Sequence, residues 1–287
     1  MVKTVTESKP APAAYKSEFG HEKGFGKLVK VEVKDRVAWV TMSDPPANTY
    51  TYEMNRELDS AILKVRFDDN VDVAVLSGDG EKFFSAGANI NMLNAVTPEF
   101  KYYFCLHANE TLSRMEQTPK LFIAAINGHC VGGGLEIAMA TDIRIARKDG
   151  GKMGLPEINL GVLPGTGGTQ RMARLVGKSQ AIELMATGQN FSFEKGKELG
   201  LVNHVFEGDN ADFKEQVHEF ARQFTRPNKA SMAVGHIKRS VISGMEVPFE
   251  YGLALERELQ SLLFKSKDAK EGIAAYTEKR VAKFEGK

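Results

Sequence analysis

Little in this sequence points outward. Its 287 residues carry 38 basic and 37 acidic side chains, a net charge of +1. So even a balance gives no overall electrostatic grip on nucleic acid or on an anionic membrane. No apolar run approaches the length of a membrane span. Only two cysteines occur, Cys105 and Cys130, in neither a Cys-x-x-Cys pair nor a metal-ligand spacing. They suit a reducing compartment, and a cytoplasmic protein without a metal ion is expected. The N-terminus has no apolar signal core. Three familiar chemical motifs are missing as well. No Gly-Lys-Ser/Thr closes a phosphate loop, no Gly-x-Gly-x-x-Gly marks a dinucleotide site, and no Gly-x-Ser-x-Gly elbow presents a serine nucleophile.

What is present is a core-forming chain with 42% apolar residues, of a length that suits one large domain or a domain with a small helical appendage. Residues 1–26 are rich in Lys, Ala, Pro, Ser and Gly and read as a flexible arm, with Phe19 and Phe25 as candidate surface anchors. Glu7, Glu18 and Glu22 and the lack of arginine in this arm count against an organelle presequence. Leu28, Val29, Val31 and Val33 predict a strand. Val37, Trp39, Val40 and Met42 predict its hairpin partner across Lys34-Asp-Arg36. Residues 44–49 read as a proline-bearing loop. Met54, Leu58, Ala61, Ile62 and Val65 mark a helix stripe, and Val71–Leu76 a strand. Thr97-Pro98-Glu99 is a helix start. Phe100, Tyr103, Phe104, His107, Ala108, Leu112 and Met115 follow at helical spacing, most of them expected in the core. Leu121–Ile126 reads as a buried strand and Asp142–Ala146 as another. Beyond Gln170 the chain reads as helical: Leu175–Met185, a segment capped by Ser192, a stripe from Phe213 to Phe224, Tyr251–Phe264, and Asp268–Phe284 with Asp268 and Glu271 as a capping box.

Two glycine-rich stretches carry the chemistry. In Asn127-Gly-His-Cys-Val-Gly-Gly-Gly-Leu-Glu136, three glycines stand between a strand and a helix. Glycine there permits a sharp turn and close ligand approach, and the first helical amides are free to meet a negative oxygen. Glu136 lies just inside that helix. Leu155-Pro-Glu-Ile-Asn-Leu-Gly-Val-Leu-Pro-Gly-Thr-Gly-Gly-Thr-Gln170 supplies a second carboxylate, Glu157, and a second glycine turn. A third stretch, Phe84-Ser-Ala-Gly-Ala-Asn89, is another small-residue turn after a strand. His129 and His107 read as packing residues.

These three stretches, in this order, resemble the crotonase (enoyl-CoA hydratase/isomerase) superfamily, and the resemblance runs from about Lys27 to the C-terminus. It implies an α/β fold, a ββα superhelix over residues 27–200. A C-terminal helical region, 201–287, would cover the site and build a homotrimer or homohexamer. It implies an acyl-CoA thioester substrate, with no cofactor beyond the coenzyme A of the substrate itself. The reaction implied is addition of water to a trans-2-enoyl-CoA to give a 3-hydroxyacyl-CoA, a step of acyl-CoA and fatty-acid metabolism. The backbone amides of Ala88 and Gly133 would form the oxyanion hole, worth roughly 3–4 kcal/mol per donor. Glu136 and Glu157 would position and activate the water as acid and base. Ala47, Ser85, Ala86, Asn89 and Ile90 would line the coenzyme A groove, and the Gly165 amide would help orient the site. The family commonly has Asp where this chain has Asn89. Phe264 and Lys279 would reach the adenine or a phosphate. Alanine at Gly133 would hinder the carbonyl while leaving the fold intact. Other reactions in the superfamily are double-bond isomerisation, dehydration, C–C cleavage and decarboxylation. A rival of another class is RNA binding, which the near-neutral charge does not favour.

Overall fold

Two sheets, wound up together by repeating strand–strand–helix units, set the architecture. The computed structural model describes residues 26–287, so the arm and its Phe19 and Phe25 lie outside the described residues. Strands β1 (Val29–Lys34) and β2 (Val37–Met42) pair as an antiparallel hairpin. Its turn residues Asp35 and Arg36 both adopt positive φ, 50° and 65°, the turn geometry whose twist matches that of the flanking strands. Helix α1 (Tyr52–Phe67) is capped by the Thr51 hydroxyl and buries Met54, Leu58, Ala61, Ile62 and Val65, the stripe read from the sequence.

The units then repeat. Strands β3 (Val73–Gly78) and β4 (Phe83–Ser85) precede the short α2 (Ile90–Ala95) and α3 (Pro98–Glu116). Strands β5 (Leu121–Ile126) and β6 (His129–Val131) precede α4 (Gly133–Met139). Strands β7 (Ile143–Arg147) and β8 (Lys152–Gly154) precede a 3-10 turn (Glu157–Leu160), α5 (Gly168–Val176) and α6 (Lys178–Thr187). In these three units the first strand joins the large sheet and the second joins the small one. The large sheet runs β1-β2-β3-β5-β7 and gains a sixth strand, β10 (His204–Phe206). The small one runs β4-β6-β8 and ends in β9 (Phe191–Ser192). Within both sheets the unit strands are parallel. Advancing one place in both sheets per unit is what makes the chain a superhelix. It also brings the β4, β6 and β8 ends of successive units side by side.

Asn127, fully buried between β5 and β6, ties the two sheets together. Its Oδ1 accepts from Gly78 N at 3.1 Å and its Nδ2 donates to Gly80 O at 2.9 Å. Removing such a side chain would orphan buried backbone groups, which is costlier than losing a surface hydrogen bond.

The rest of the chain is helical: α7 (Phe193–Glu198), α8 (Asn210–Arg222), α9 (Ser231–Gly244), α10 (Phe249–Phe264) and α11 (Lys267–Glu278). Strand β10 and helix α8 lie beyond residue 200, yet they extend and cover the large sheet, where Phe213, Val217 and Ala221 pack on Val73, Val75 and Ile123. The core therefore continues past the division the sequence suggested. Three local expectations also change. Gly177, at φ 82°, splits the 175–185 segment into α5 and α6. Helix α11 stops at Glu278 because Lys279 turns left-handed, and its cap is Ser266 rather than Asp268. Asp268 instead accepts from the amides of Glu285 and Gly286, folding the tail back. On α3, Phe104, Ala108, Leu112 and Met115 are buried, whereas Phe100 and Tyr103 are exposed.

Candidate active site

The Gly132–Gly134 junction forms the floor of the site. Gly132 caps α4 with φ 55° and ψ −132°, a conformation side chains other than glycine rarely take. The turn Ser85–Ala88 is seated directly on this junction: a Cβ on Gly87 would lie 2.8 Å from the Gly133 nitrogen. That turn is tightly held. Ser85 Oγ donates to Asn48 O at 2.7 Å and accepts from Gly87 N at 3.1 Å, and Ala86 N donates to Ala47 O at 2.9 Å. Tyr50 N donates to Gly87 O at 2.9 Å, and Asn89 N donates to Tyr50 O at 3.1 Å. Between those two bonds the Ala88 amide faces the other way. Neither it nor the Gly133 amide, first in its helix, has a protein acceptor among the described residues.

Glu136 sits one helical turn in, 2% exposed. Its Oε1 accepts from Thr166 N at 2.8 Å and Gly168 N at 2.7 Å, and its Oε2 accepts from the Thr166 hydroxyl. Burial pushes its carboxyl up from the ordinary range, and these donors together with Lys101 oppose the shift. Glu157 opens the 3-10 turn and lies over the glycines, its Oε1 3.0 Å from where a Gly132 Cβ would be. Its Oε2 is buried without a hydrogen-bond partner among the described residues. Burial, and then the charge of Glu136, raise its carboxyl to about 7. Two carboxylates are thus set side by side in different states. One is held by three protein donors, and the other is poised near neutrality with an oxygen free. That division suits acid–base work.

The positions expected at the groove fall into two groups. Ala47, Ala86, Ala88 and Asn89 are half-buried and Ile90 is exposed, along one rim of the turn. Ser85 is fully buried with its hydroxyl engaged, so its side chain shapes the loop and presents no surface. Asn89 caps α2 by accepting from Met92 N at 3.1 Å and donates through Nδ2 to Thr49 Oγ1 at 3.2 Å. An aspartate could make the first bond but not the second. Gly165 approaches Cys105, whereas the amides that reach Glu136 come from Thr166 and Gly168. His129 accepts from Lys152 N at 3.1 Å and packs on Phe83, and His107 lies against Tyr52. Phe264 is exposed at the end of α10, and Lys279 forms the left-handed stop of α11.

The family model for enoyl-CoA hydratase/isomerase matches residues 32–287. The chain belongs to the enoyl-CoA hydratase/isomerase family. It is 37% identical to a probable enoyl-CoA hydratase of Bacillus subtilis, covering 90% of this chain and 98% of that one. It is likewise 37% identical to a short-chain-enoyl-CoA hydratase of Clostridium acetobutylicum, over 90% and 97% of the two chains. An enoyl-CoA hydratase crystal structure from Geobacillus kaustophilus HTA426 superposes with a TM-score of 0.88 at 43% identity, over 91% and 98%. The crotonase fold of this family, two sheets and a C-terminal helical region, is the fold described above, and acyl-CoA substrates follow from membership. Among the described residues no helix is long and apolar enough to cross a membrane.

Sequence reasoning missed three residues at the site. Tyr50 is buried with its ring against Gly133. Thr166 binds Glu136 through both amide and hydroxyl. Lys101 places its ammonium 5.0 Å from the Phe104 ring centre and acts on both glutamates. Only Thr166 lay inside a recognised stretch. A lone tyrosine in a loop and a lysine on a helix carry no periodic signal.

Proposed function

We propose that this chain is an enoyl-CoA hydratase. The observation that carries the reading is the pairing of Glu136, held by three protein donors, with Glu157, whose buried Oε2 has no partner among the described residues and whose carboxyl is raised to about 7, beside two unaccepted amides. The thioester carbonyl would lie between the amides of Ala88 and Gly133, where charge developing on its oxygen is stabilised without reorganisation. Glu136, held by Thr166 and Gly168, fixes one side of the attacking water. Glu157, titrating near neutrality, exchanges the proton that the addition must move. The relatives named as hydratases support the same reaction. A panel of trans-2-enoyl-CoAs, straight, branched and cyclic, followed by loss of the conjugated-thioester absorbance, tests it. No hydration of any member would overturn it.

One observation favours a second reading. Three protein donors already hold Glu136 and leave room for one more only on Oε2, whereas Glu157 Oε2 has no partner among the described residues. A single base is what double-bond isomerisation needs. Conversion of a 3-enoyl-CoA faster than hydration of its 2-enoyl isomer would select the isomerase. We also infer a threefold assembly in the cytoplasm. Ile237, Val241, Met245 and Phe249 of the tail are exposed apolar side chains that burial against a second copy would cover. Light scattering that reports a monomer at micromolar concentration would refute this.

A further inference from the structure

Tyr50 meets the Gly87–Asn89 turn, Gly133 and Thr166, yet it stands in a loop between Thr49 and Thr51 and belongs to none of the glycine-rich stretches. Its backbone brackets Ala88: the amide donates to Gly87 O at 2.9 Å and the carbonyl accepts from Asn89 N at 3.1 Å. Its ring covers Gly133 so closely that an added Cβ there would fall 2.1 Å from Tyr50 Cε1. The ring is backed by Phe104, with centroids 5.6 Å apart and planes 12° from parallel. Its hydroxyl lies 3.4 Å from Thr166 Oγ1, whose own proton goes to Glu136 Oε2. The phenol is therefore the donor to Thr166 and the head of a chain that ends on the carboxylate. Donors linked in series polarise one another and strengthen the last bond.

We propose that Tyr50 is a positioning residue of this site: its backbone fixes the Ala88 amide, its ring fixes the Gly133 amide, and its hydroxyl, acting through Thr166, orients Glu136. The proposal rests on the reading of those amides and that glutamate as catalytic groups. Tyrosine suits the place because it joins a flat apolar body to a polar tip, so it can pack against a glycine and still end in a hydrogen bond. The phenol stays protonated, since burial and then the Glu136 charge hold it well above the ordinary phenol range. The other titratable and charged groups facing the pair are Lys101 and Cys105 of α3, Glu157 of the 3-10 turn, and Arg171 of α5, which donates to Thr166 O at 3.3 Å and pairs with Glu116.

The hydroxyl is tested by Tyr50→Phe, which keeps the ring. Its removal weakens the Thr166 bond to ionised Glu136, so the Glu136 carboxyl should rise by about 0.5 pH unit, the scale of a fraction of one hydrogen bond. Carbon-13 NMR of labelled glutamate reads this without turnover, with the Glu136 resonance assigned by its loss in Glu136→Gln. On the best substrate of the enoyl-CoA panel, kcat should fall roughly three- to tenfold with KM within twofold, and the acid limb of its pH profile should move up. In a Thr166→Val background, Tyr50→Phe should change neither quantity further, because the relay is already cut. Tyr50→Leu, which removes the flat ring, should cost kcat at least tenfold more than Tyr50→Phe. If it does not fold, the phenylalanine variant alone decides. An unmoved Glu136 midpoint in Tyr50→Phe, or effects that add in the double variant, would overturn the relay. A wild-type protein that hydrates no enoyl-CoA would defeat the hydratase reading while leaving the NMR result to stand.

Discussion

Helix α4 carries a buried carboxylate one turn in from its start, and a largely buried one follows just past its end; the two are compensated in opposite ways. Near its N-terminus, Glu136 is met by amides and a hydroxyl, all neutral. Just past its C-terminus, Asp142 is met by a cation: Lys238 of α9 lies 2.8 Å away with its own side chain 2% exposed. Asp142 also accepts from Phe122 N at 2.7 Å, and Lys238 donates to the carbonyls of Met115 and Lys120, each at 3.0 Å. Burial pushes both carboxyls up. The difference is what stands next to each. Asp142 belongs to a closed set in which every partner is protein and the gain is docking of α9. Glu136 faces another carboxylate with an oxygen to spare. Neutral donors hold a carboxylate in place without neutralising it, whereas a counter-ion fixes its charge and its role.

The largest expected effect comes from replacing each carboxylate at the Glu136 end by its amide. Glu157→Gln and Glu136→Gln should each lower turnover by roughly two to four orders of magnitude, the scale of a general acid or base. Both should remain folded. In Glu136→Gln the amide oxygen can still accept from the backbone of Thr166 and Gly168, while Thr166 Oγ1 rotates to accept from the new amide nitrogen. Hydration kinetics with circular dichroism on the same samples separate the two outcomes. Wild-type rates in either variant would end that residue's proposed role. If only Glu157→Gln is impaired, the isomerase reading gains.

The same replacement at the other end should invert the result. Asp142→Asn leaves the Lys238 ammonium buried without its counter-ion, a change that costs about 3–5 kcal/mol where a buried pair is broken. Urea unfolding should show that loss, and kcat measured where the variant is still folded should stay within a few-fold of wild type. A stable Asp142→Asn protein with poor turnover would erase the contrast between the two ends.

Gly133→Ala comes next. A sequence reading makes this glycine a place for a ligand, and alanine there a clean probe of the oxyanion hole. The structure puts the Tyr50 ring in that space first. The methyl group would overpack a buried contact, which costs about 1–3 kcal/mol, and would move the ring and the amide together. Stability and turnover should therefore fall jointly, and a turnover loss without any shift in the unfolding midpoint would show that Tyr50 gives way freely.

These contrasts show which parts of the site a sequence exposes. Glu136 and Glu157 were legible because each stands in a stretch of glycines whose turn chemistry is local. The hairpin at Asp35–Arg36, the α1 stripe and the Thr97 cap were legible for the same reason, since period and capping are local rules. Tyr50 meets Thr166 across 116 positions and Lys238 meets Met115 across 123, so neither partner predicts the other. The end of α11 failed differently. Asp268 and Glu271 have capping-box spacing, but the tail uses them both, Asp268 for the amides of Glu285 and Gly286 and Glu271 for Arg280 and the Lys283 amide. A local rule was overridden there by a chain reversal that begins at Lys279.

The smallest effect is the one that most directly separates function from stability at the Glu136 end. Glu157 has a folded-state carboxyl raised to about 7 from an ordinary value near 4.5. A raised acid favours the folded state only while it is protonated. The wild-type protein therefore loses stability as pH climbs from the unfolded value through about 7, and the loss is complete above that. Glutamine at this position has nothing to ionise, so Glu157→Gln should match wild type near pH 4 and exceed it at pH 8. The shift would correspond to roughly 3 kcal/mol in a fully enclosed group, and discounting for the solvent that reaches this half-buried one leaves about 1–2 kcal/mol. Urea unfolding at the two pH values reads the difference directly. A gain at pH 8 together with lost turnover would mean that the fold carries an unfavourable carboxylate that only chemistry requires. An equal gain at both pH values would mean that the glutamine packs better, and a constant zero would mean that Glu157 ionises as freely as a surface acid, leaving the two glutamates without the division of states on which the hydratase reading depends.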